Sequence, residues 1–213
     1  MPNWCGMSLT IFNSKGENDK NIDILYENIK RNCLNDQSES AKLIGIDSQW
    51  LENLAYACGV SLDKLFIPKN NDSKYINDFH PKAFLYDVCR NDDGSIRLYI
   101  DSAWNPCDNF LEALFNENLD LLKDLDYVYI ADECGNDVYI NTDTKKLYYS
   151  TEYCITTDEE IFGGEDQYFD SKEELLEFFN TRINKSFKST KELEEWLSDY
   201  EGYCNLHYYF DEE

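Results

Sequence analysis

Histidine, proline and positive charge are scarce in this chain of 213 residues: 2 His, 4 Pro and 19 Lys+Arg stand against 43 Asp+Glu, a formal net charge of −24. So few bases exclude ordinary binding to nucleic-acid phosphates or anionic membrane surfaces, which would repel the chain at long range. A basic partner surface stays open. No run approaches the roughly 18 apolar residues of a membrane span, and no basic segment followed by an apolar run opens the chain. A soluble, cytoplasmic protein of the host cell is expected.

Motifs for common chemistry are also missing. There is no Gly-x-Ser-x-Gly, no Gly-x-x-x-x-Gly-Lys phosphate loop and no His-Glu-x-x-His. The eight cysteines, Cys5, Cys33, Cys58, Cys89, Cys107, Cys134, Cys154 and Cys204, are never closer than 18 positions and form no Cys-x-x-Cys. Only His80 and His207 could join them, so a zinc site is unsignalled, and the cysteines read as reduced thiols serving as small buried hydrophobes. The acidic clusters Asp92-Asp93, Asp132-Glu133 and Asp158-Glu159-Glu160 could attract Mg²⁺ or Ca²⁺, but none has EF-hand spacing. Neither cofactor nor metal is expected.

What the chain does have is apolar area: 42% hydrophobic residues and 15% aromatic, including 16 Tyr and 12 Phe. That is enough for a real core, and the length suits one domain or one domain with an appendage. The charge is segregated. Residues 1–100 hold 14 acids and 11 bases, whereas residues 101–213 hold 29 acids and 8 bases. Segregation concentrates potential on whichever face the second half presents.

Along the chain, the alternation Met7, Leu9, Ile11 before Asn13-Ser14-Lys15-Gly16 predicts a strand over 4–12. Ile22, Leu25, Tyr26 and Ile29 predict an amphipathic helix over 19–31. Two short helices are expected within 40–67, broken at Gly59. The run Trp50–Phe66 resembles the last two helices of phage-repressor-type helix-turn-helix domains; the DNA-reading part of such domains lies upstream, where this chain lacks their Gln/Ser turn and basic residues, so core packing of an inserted helical pair is the reading. Ala83–Arg90 and Ile96–Asp101 around Asn91-Asp92-Asp93-Gly94-Ser95 predict a hairpin. A helix over 108–123, a strand at Tyr127–Ala131 and a meander through Val138–Ile140 and Lys146–Ser150 follow. After 157 acids dominate, and two helices are expected near 171–182 and 190–200, the second with the capping pattern Ser189-x-x-Glu192.

This order is that of an α+β, ferredoxin-like βαββαβ fold, an antiparallel sheet with helices on one face. It carries a helical insertion at about 33–80 in a domain of residues 1–156, and an acidic α-helical C-terminal extension over 157–213. Met1-Pro2-Asn3-Trp4-Cys5 with Ser8-Leu9-Thr10, then Asp101-Ser102-Ala103-Trp104-Asn105-Pro106, then Ala131-Asp132-Glu133-Cys134-Gly135-Asn136 resemble three motifs of the YubB-type ferredoxin-like family of phages and plasmids. The resemblance covers roughly 1–12 and 83–150. It implies a mobile-element origin, in a setting of plasmid transfer, phage replication and contest with host defence, and supplies no catalytic residues. Trp4 and Trp104 read as anchors of one sheet end.

The outward positions of the two tail helices, Glu173, Glu174, Glu177, Glu194, Glu195, Asp199 and Glu201, are nearly all carboxylates. With Tyr200 and Tyr203 they are the candidate partner-binding residues, and Tyr168, Phe169, Tyr208, Tyr209 and Phe210 are further candidate contacts. Such an array suits competition for a Lys/Arg-lined nucleic-acid groove. The expected function is a non-enzymatic inhibitor of a basic host defence protein, such as a CRISPR effector or restriction nuclease. The alternatives are an interaction or scaffold protein of the phage or plasmid, whose acidity confers solubility, and a metal-dependent hydrolase using the acidic clusters.

Overall fold

The computed structural model describes residues 4–16, 20–34, 51–61, 82–103, 106–117, 119–133, 135 and 137–210. Met1, Pro2, Asn3, His80, Trp104, Asn105, Cys134, Asn136 and most of the expected insertion lie outside these. The chain is an α+β protein with antiparallel sheets, divided into two compact units, Met1–Asn136 and Asp137–Glu213.

The first unit runs β1 (Trp4–Asn13), α1 (Lys20–Cys33), α2 (Glu52–Ala57), β2 (Ala83–Arg90), β3 (Ile96–Ala103), α3 (Asp108–Asn116) and β4 (Leu125–Glu133). Its strands lie in the order β2-β3-β1-β4, each pair antiparallel. Alternation dictates this. Cys5, Met7, Leu9 and Ile11 of β1 are buried, and the register sets Met7 opposite Ile100 and Ala131 and Leu9 opposite Leu98 and Tyr129. One face of three strands therefore forms a continuous apolar layer, and a slip of one residue would turn it to water.

The helices supply the other half of that core. Ile22, Leu25, Ile29 and Cys33 of α1 and Phe110, Leu111 and Leu114 of α3 are buried at helical spacing. Each fully buried Leu, Ile or Phe contributes about 1.5–3 kcal/mol. The Phe115 ring lies 4.5 Å from Tyr127, and the Tyr129 hydroxyl donates to Asp108, which holds α3 against the odd-numbered side of β4. Burial, then the nearby Asp108, Glu112 and Asp126, push the Tyr127 hydroxyl up to about 12. In the hairpin turn, Ser95 donates from its backbone N–H and its hydroxyl to Asp93, at 2.9 and 2.7 Å, while Gly94 adopts φ +84°. Only a residue without Cβ takes that conformation cheaply.

The second unit contains β5 (Val138–Asn141), β6 (Tyr153–Thr157), a 3-10 turn (Glu160–Phe162), β7 (Gln167–Phe169), α4 (Lys172–Ile183), α5 (Thr190–Ser198) and β8 (Cys204–Tyr208). β7, β6 and β8 form an antiparallel sheet in that order. Its core gathers Ile155, Phe162, Phe169, Leu175, Phe179, Phe187, Leu193 and Cys204.

The tail thus differs from the helical extension expected over 157–213: β7 and β8 lie within it, and both pair with β6, which precedes it. Ile155 of β6 shares a core with both tail helices, and the two compact units divide at Asn136/Asp137. Two local expectations also change. Lys146–Ser150 is a turn segment, where the Asp143 carboxylate accepts the backbone N–H groups of Tyr148 and Tyr149 and Lys146 takes φ +53°. The helix expected over 108–123 ends at Asn116; Leu122 is buried from a following turn.

Candidate functional site

The acidic residues singled out in the sequence sit on helices with well-made starts. In α4, the Ser171 side chain accepts the Glu174 N–H, and Glu174 accepts the N–H of Asp170 at 3.0 Å. In α5, Ser189 and Glu192 do the same, with Glu192 accepting the N–H of Lys188 at 2.8 Å. These reciprocal caps satisfy backbone donors that a helix start leaves open, and they place carboxylates at the positive end of each helix dipole. The pair at Ser171 escaped the sequence reading, although Ser171-x-x-Glu174 has the same spacing as Ser189-x-x-Glu192. Asn184, at φ +51°, ends α4.

With Leu175 and Phe179 inward on α4 and Leu193 inward on α5, the 3.6-residue period sends Glu173, Glu174, Glu177, Glu194, Glu195 and Asp199 outward, and all six are exposed, as is Glu201. None of the seven forms an ion pair among the described residues. Two have duties within the fold: Glu174 caps α4, and Glu194 accepts from the Tyr208 hydroxyl at 2.8 Å. Glu173, Glu177, Glu195 and Asp199 have no side-chain partner among the described residues.

The unit holds 20 acidic and 7 basic residues, a net −13, while the first unit holds 23 and 12, a net −11. Nine acids expected to enrich the second half, those between Asp101 and Glu133, belong to the first unit. The field of the second unit is denser, but the first is acidic too. Several bases of the second unit are already engaged: Lys146 pairs with Glu152, the Arg182 guanidinium lies 3.7 Å over the Phe178 ring, and Lys185 lies 5.2 Å over Trp196.

The nominated aromatics fall into two groups. Tyr168 and Tyr203 are each 52% exposed. Phe169 and Tyr209 are buried instead: Phe169 of β7 joins the core of the unit, and Tyr209, just after β8, lies with its ring 5.6 Å from Tyr139. Tyr200 is half-buried, its ring 5.0 Å from Trp196 and 5.7 Å from Phe162, so it supports the core as well as the surface. Tyr208 and Phe210 are likewise half-buried. Beside them, Glu159 accepts the Tyr203 N–H at 3.2 Å over Gly202, where an added Cβ would meet the Glu159 carboxylate and come within 2.6 Å of the Tyr200 ring. Only glycine lets this loop close on Glu159.

One chemistry-bearing constellation went unread in the sequence, since its members are far apart in the chain. His207 Nδ1 lies 2.8 Å from Asp137 and its Nε2 lies 2.9 Å from the Thr156 hydroxyl, with the imidazole stacked 4.0 Å from Tyr139. The order carboxylate, imidazole, hydroxyl is that of an acyl-transfer relay. Thr156, however, is 4% exposed within β6, so no carbonyl carbon can approach its oxygen. The chain of bonds instead ties the start of β5 to β6 and β8.

Among the described residues there is no group of three or more His, Cys, Asp or Glu that could hold a metal ion, and no helix long and apolar enough to cross a membrane. All seven described cysteines are free, and six of them are buried. Burial, followed by Asp132, raises the Cys5 thiol to about 12, and burial raises Cys204 to about 11. Such thiols are poor nucleophiles at neutral pH. The structure therefore defines an α+β protein whose tail helices carry outward carboxylates over an aromatic core. No protein-family model, no curated protein and no solved structure matches the chain.

Proposed function

We propose that this protein is a non-enzymatic inhibitor that competes with nucleic acid for a Lys/Arg-lined groove on a basic host defence protein of the CRISPR-effector or restriction type. The observation that carries the reading is the outward face of α4 and α5 with the residues just after α5: seven exposed carboxylates with no ion pair among the described residues, five of them set on helices fixed by an aromatic core. A rigid array has its charges in place before contact, so little ordering entropy opposes binding, and the field of the unit steers a cationic partner toward it. Exposed Tyr203 and the neighbouring half-buried Tyr200 offer flat rings at the edge of that array. The resemblance to the YubB-type proteins supports a mobile-element setting. In the first unit, the order β4-β1-β3-β2 with helices after β1 and β3 supports a ferredoxin-like reading of that unit.

The test is capture of partners from a bacterial lysate at low and high salt, with added nucleic acid as competitor. The expected partner is basic, elutes steeply as salt rises and is displaced by nucleic acid. Changing Glu173, Glu177, Glu195 and Asp199 together to Lys should abolish capture with the melting temperature retained, because these side chains have no partner among the described residues. Capture that survives this reversal removes the helices from the binding surface. Salt-insensitive capture favours a scaffold.

A further inference from the structure

The sheet of the first unit has a second face. Alternation sends Trp4, Gly6 and Ser8 of β1, Tyr99 and Asp101 of β3, and Asp132 of β4 away from the helices. On this face Gly6 stands opposite Asp101 on one side and Asp132 on the other. Adjacent strands set opposed Cα atoms about 4.5–5.5 Å apart, so the two carboxylates straddle Gly6 from positions roughly 10 Å apart. Gly6 puts no side chain between them; a Cβ there would stand 3.5 Å from Asp132 Oδ1.

Aromatic rings border this gap. Trp4 is 46% and Tyr86 53% exposed, which is unusual for side chains of that size on a sheet. Ala103 lies between Trp4 and β2, and its small side chain lets the Trp4 ring reach Phe84, with centroids 5.6 Å apart. A register irregularity between Leu85 and Asp87 bulges β2 at Tyr86, whose ring then sits 6.1 Å from Tyr99. Burial, followed by the nearby Asp101, raises the Tyr86 hydroxyl, which sets the ring in the field of that carboxylate. Asp101 itself has no hydrogen-bond or ion-pair partner among the described residues, and burial raises its carboxyl above the ordinary range. It is a partly desolvated acid without a counter-charge among the described residues.

Carboxylates beside exposed rings are complementary to a cation that is planar or weakly hydrated. The rings attract it through their quadrupole and the acids through charge-assisted hydrogen bonds. Arg97 shares the face, but it lies four residues from Asp101, about 13 Å along the strand.

We propose that this end of the sheet's second face, formed by Trp4, Tyr86, Tyr99, Asp101 and Asp132 around Gly6, is a docking site for an arginine-bearing peptide segment of a partner protein. The guanidinium enters between the two carboxylates and lies against the tyrosine rings. The site shares no residue with the outward face of α4 and α5, so either can fail without the other.

The experiment is a titration of the ¹⁵N-labelled full chain with acetylated, amidated tri-arginine, read by chemical-shift change. The expected result is saturable shifts at Gly6, Ser8, Tyr86, Tyr99, Asp101 and Asp132. The isosteric pair Asp101→Asn with Asp132→Asn should weaken binding about tenfold or more, and Tyr86→Leu about threefold. Dispersed spectra of each variant establish that it folds. Shifts confined to Glu173, Glu177, Glu195 and Asp199, or none at this face, overturn the proposal. Shifts at the same residues on dilution without peptide would make a second copy of the chain the occupant. Tighter binding of a single-stranded thymidine decamer than of tri-arginine would make the face a base-stacking platform. Each of these last two results also overturns it.

Discussion

Replacing Phe179 by Ala tests whether the binding proposed for the tail needs a shaped scaffold or net charge alone. Phe179 is fully buried, its ring 5.2 Å from Phe162, 5.4 Å from Phe178 and 6.4 Å from Trp196. Deleting a buried ring loses its transfer free energy and leaves a cavity, together about 3–5 kcal/mol. The second unit spans Asp137–Glu213, and at roughly 0.05–0.15 kcal/mol per residue its whole stability is about 4–12 kcal/mol. One substitution thus removes about a quarter of that stability or more. Native-state hydrogen exchange reads it directly: the opening free energy of the amides at Leu175–Phe179 should fall by about 3–5 kcal/mol, with the β1 amides as internal reference. Formal charge stays at −24, so capture of a basic partner should weaken only as the unit opens. A fall below about 1 kcal/mol would refute the packing of α4, and undiminished capture by an opened unit would refute the need for shape.

The helix caps offer a second check. Ser171→Ala and Ser189→Ala each remove the acceptor for the backbone N–H of Glu174 and Glu192, and each should cost about 1 kcal/mol in urea denaturation; no change would mean that water replaces the serine without penalty. Asp101 gives a pH test. Its folded pKa is raised, so its charged form is disfavoured in the fold, and the associated stability is complete below the ordinary carboxylate pKa and declines as pH rises through the raised folded value. Asp101→Asn should therefore melt higher than the parent at pH 7 and equal to it well below about pH 4, measured by calorimetry across that range. A difference that is constant with pH would remove burial of this charge as the cause.

Much of the local structure was legible because period and turn chemistry act over short distances. Met7, Leu9 and Ile11 announced β1, Ile22, Leu25 and Ile29 announced α1, and the Asp-Asp-Gly-Ser turn announced the β2–β3 hairpin. The caps at Ser189 and the outward acids of α4 and α5 were equally readable. β7 escaped because three residues carry no period, and β8 because Cys204, Leu206 and Tyr208 alternate only weakly amid polar neighbours. Phe169 and Tyr209 looked like surface rings for the same reason.

The chain's composition by itself determined the sign of its net field, since 43 acids against 19 bases leave a formal charge of −24. It also determined which helix positions face water, because the apolar stripe of each helix must turn inward. Only the tertiary structure decided where the acids assemble: strand pairing joins β6 to β8 across nearly fifty residues and sets Asp101 and Asp132 on either side of Gly6. Pairings of that kind depend on long-range register, which arises when whole faces are buried together and leaves no mark on neighbouring residues in the sequence.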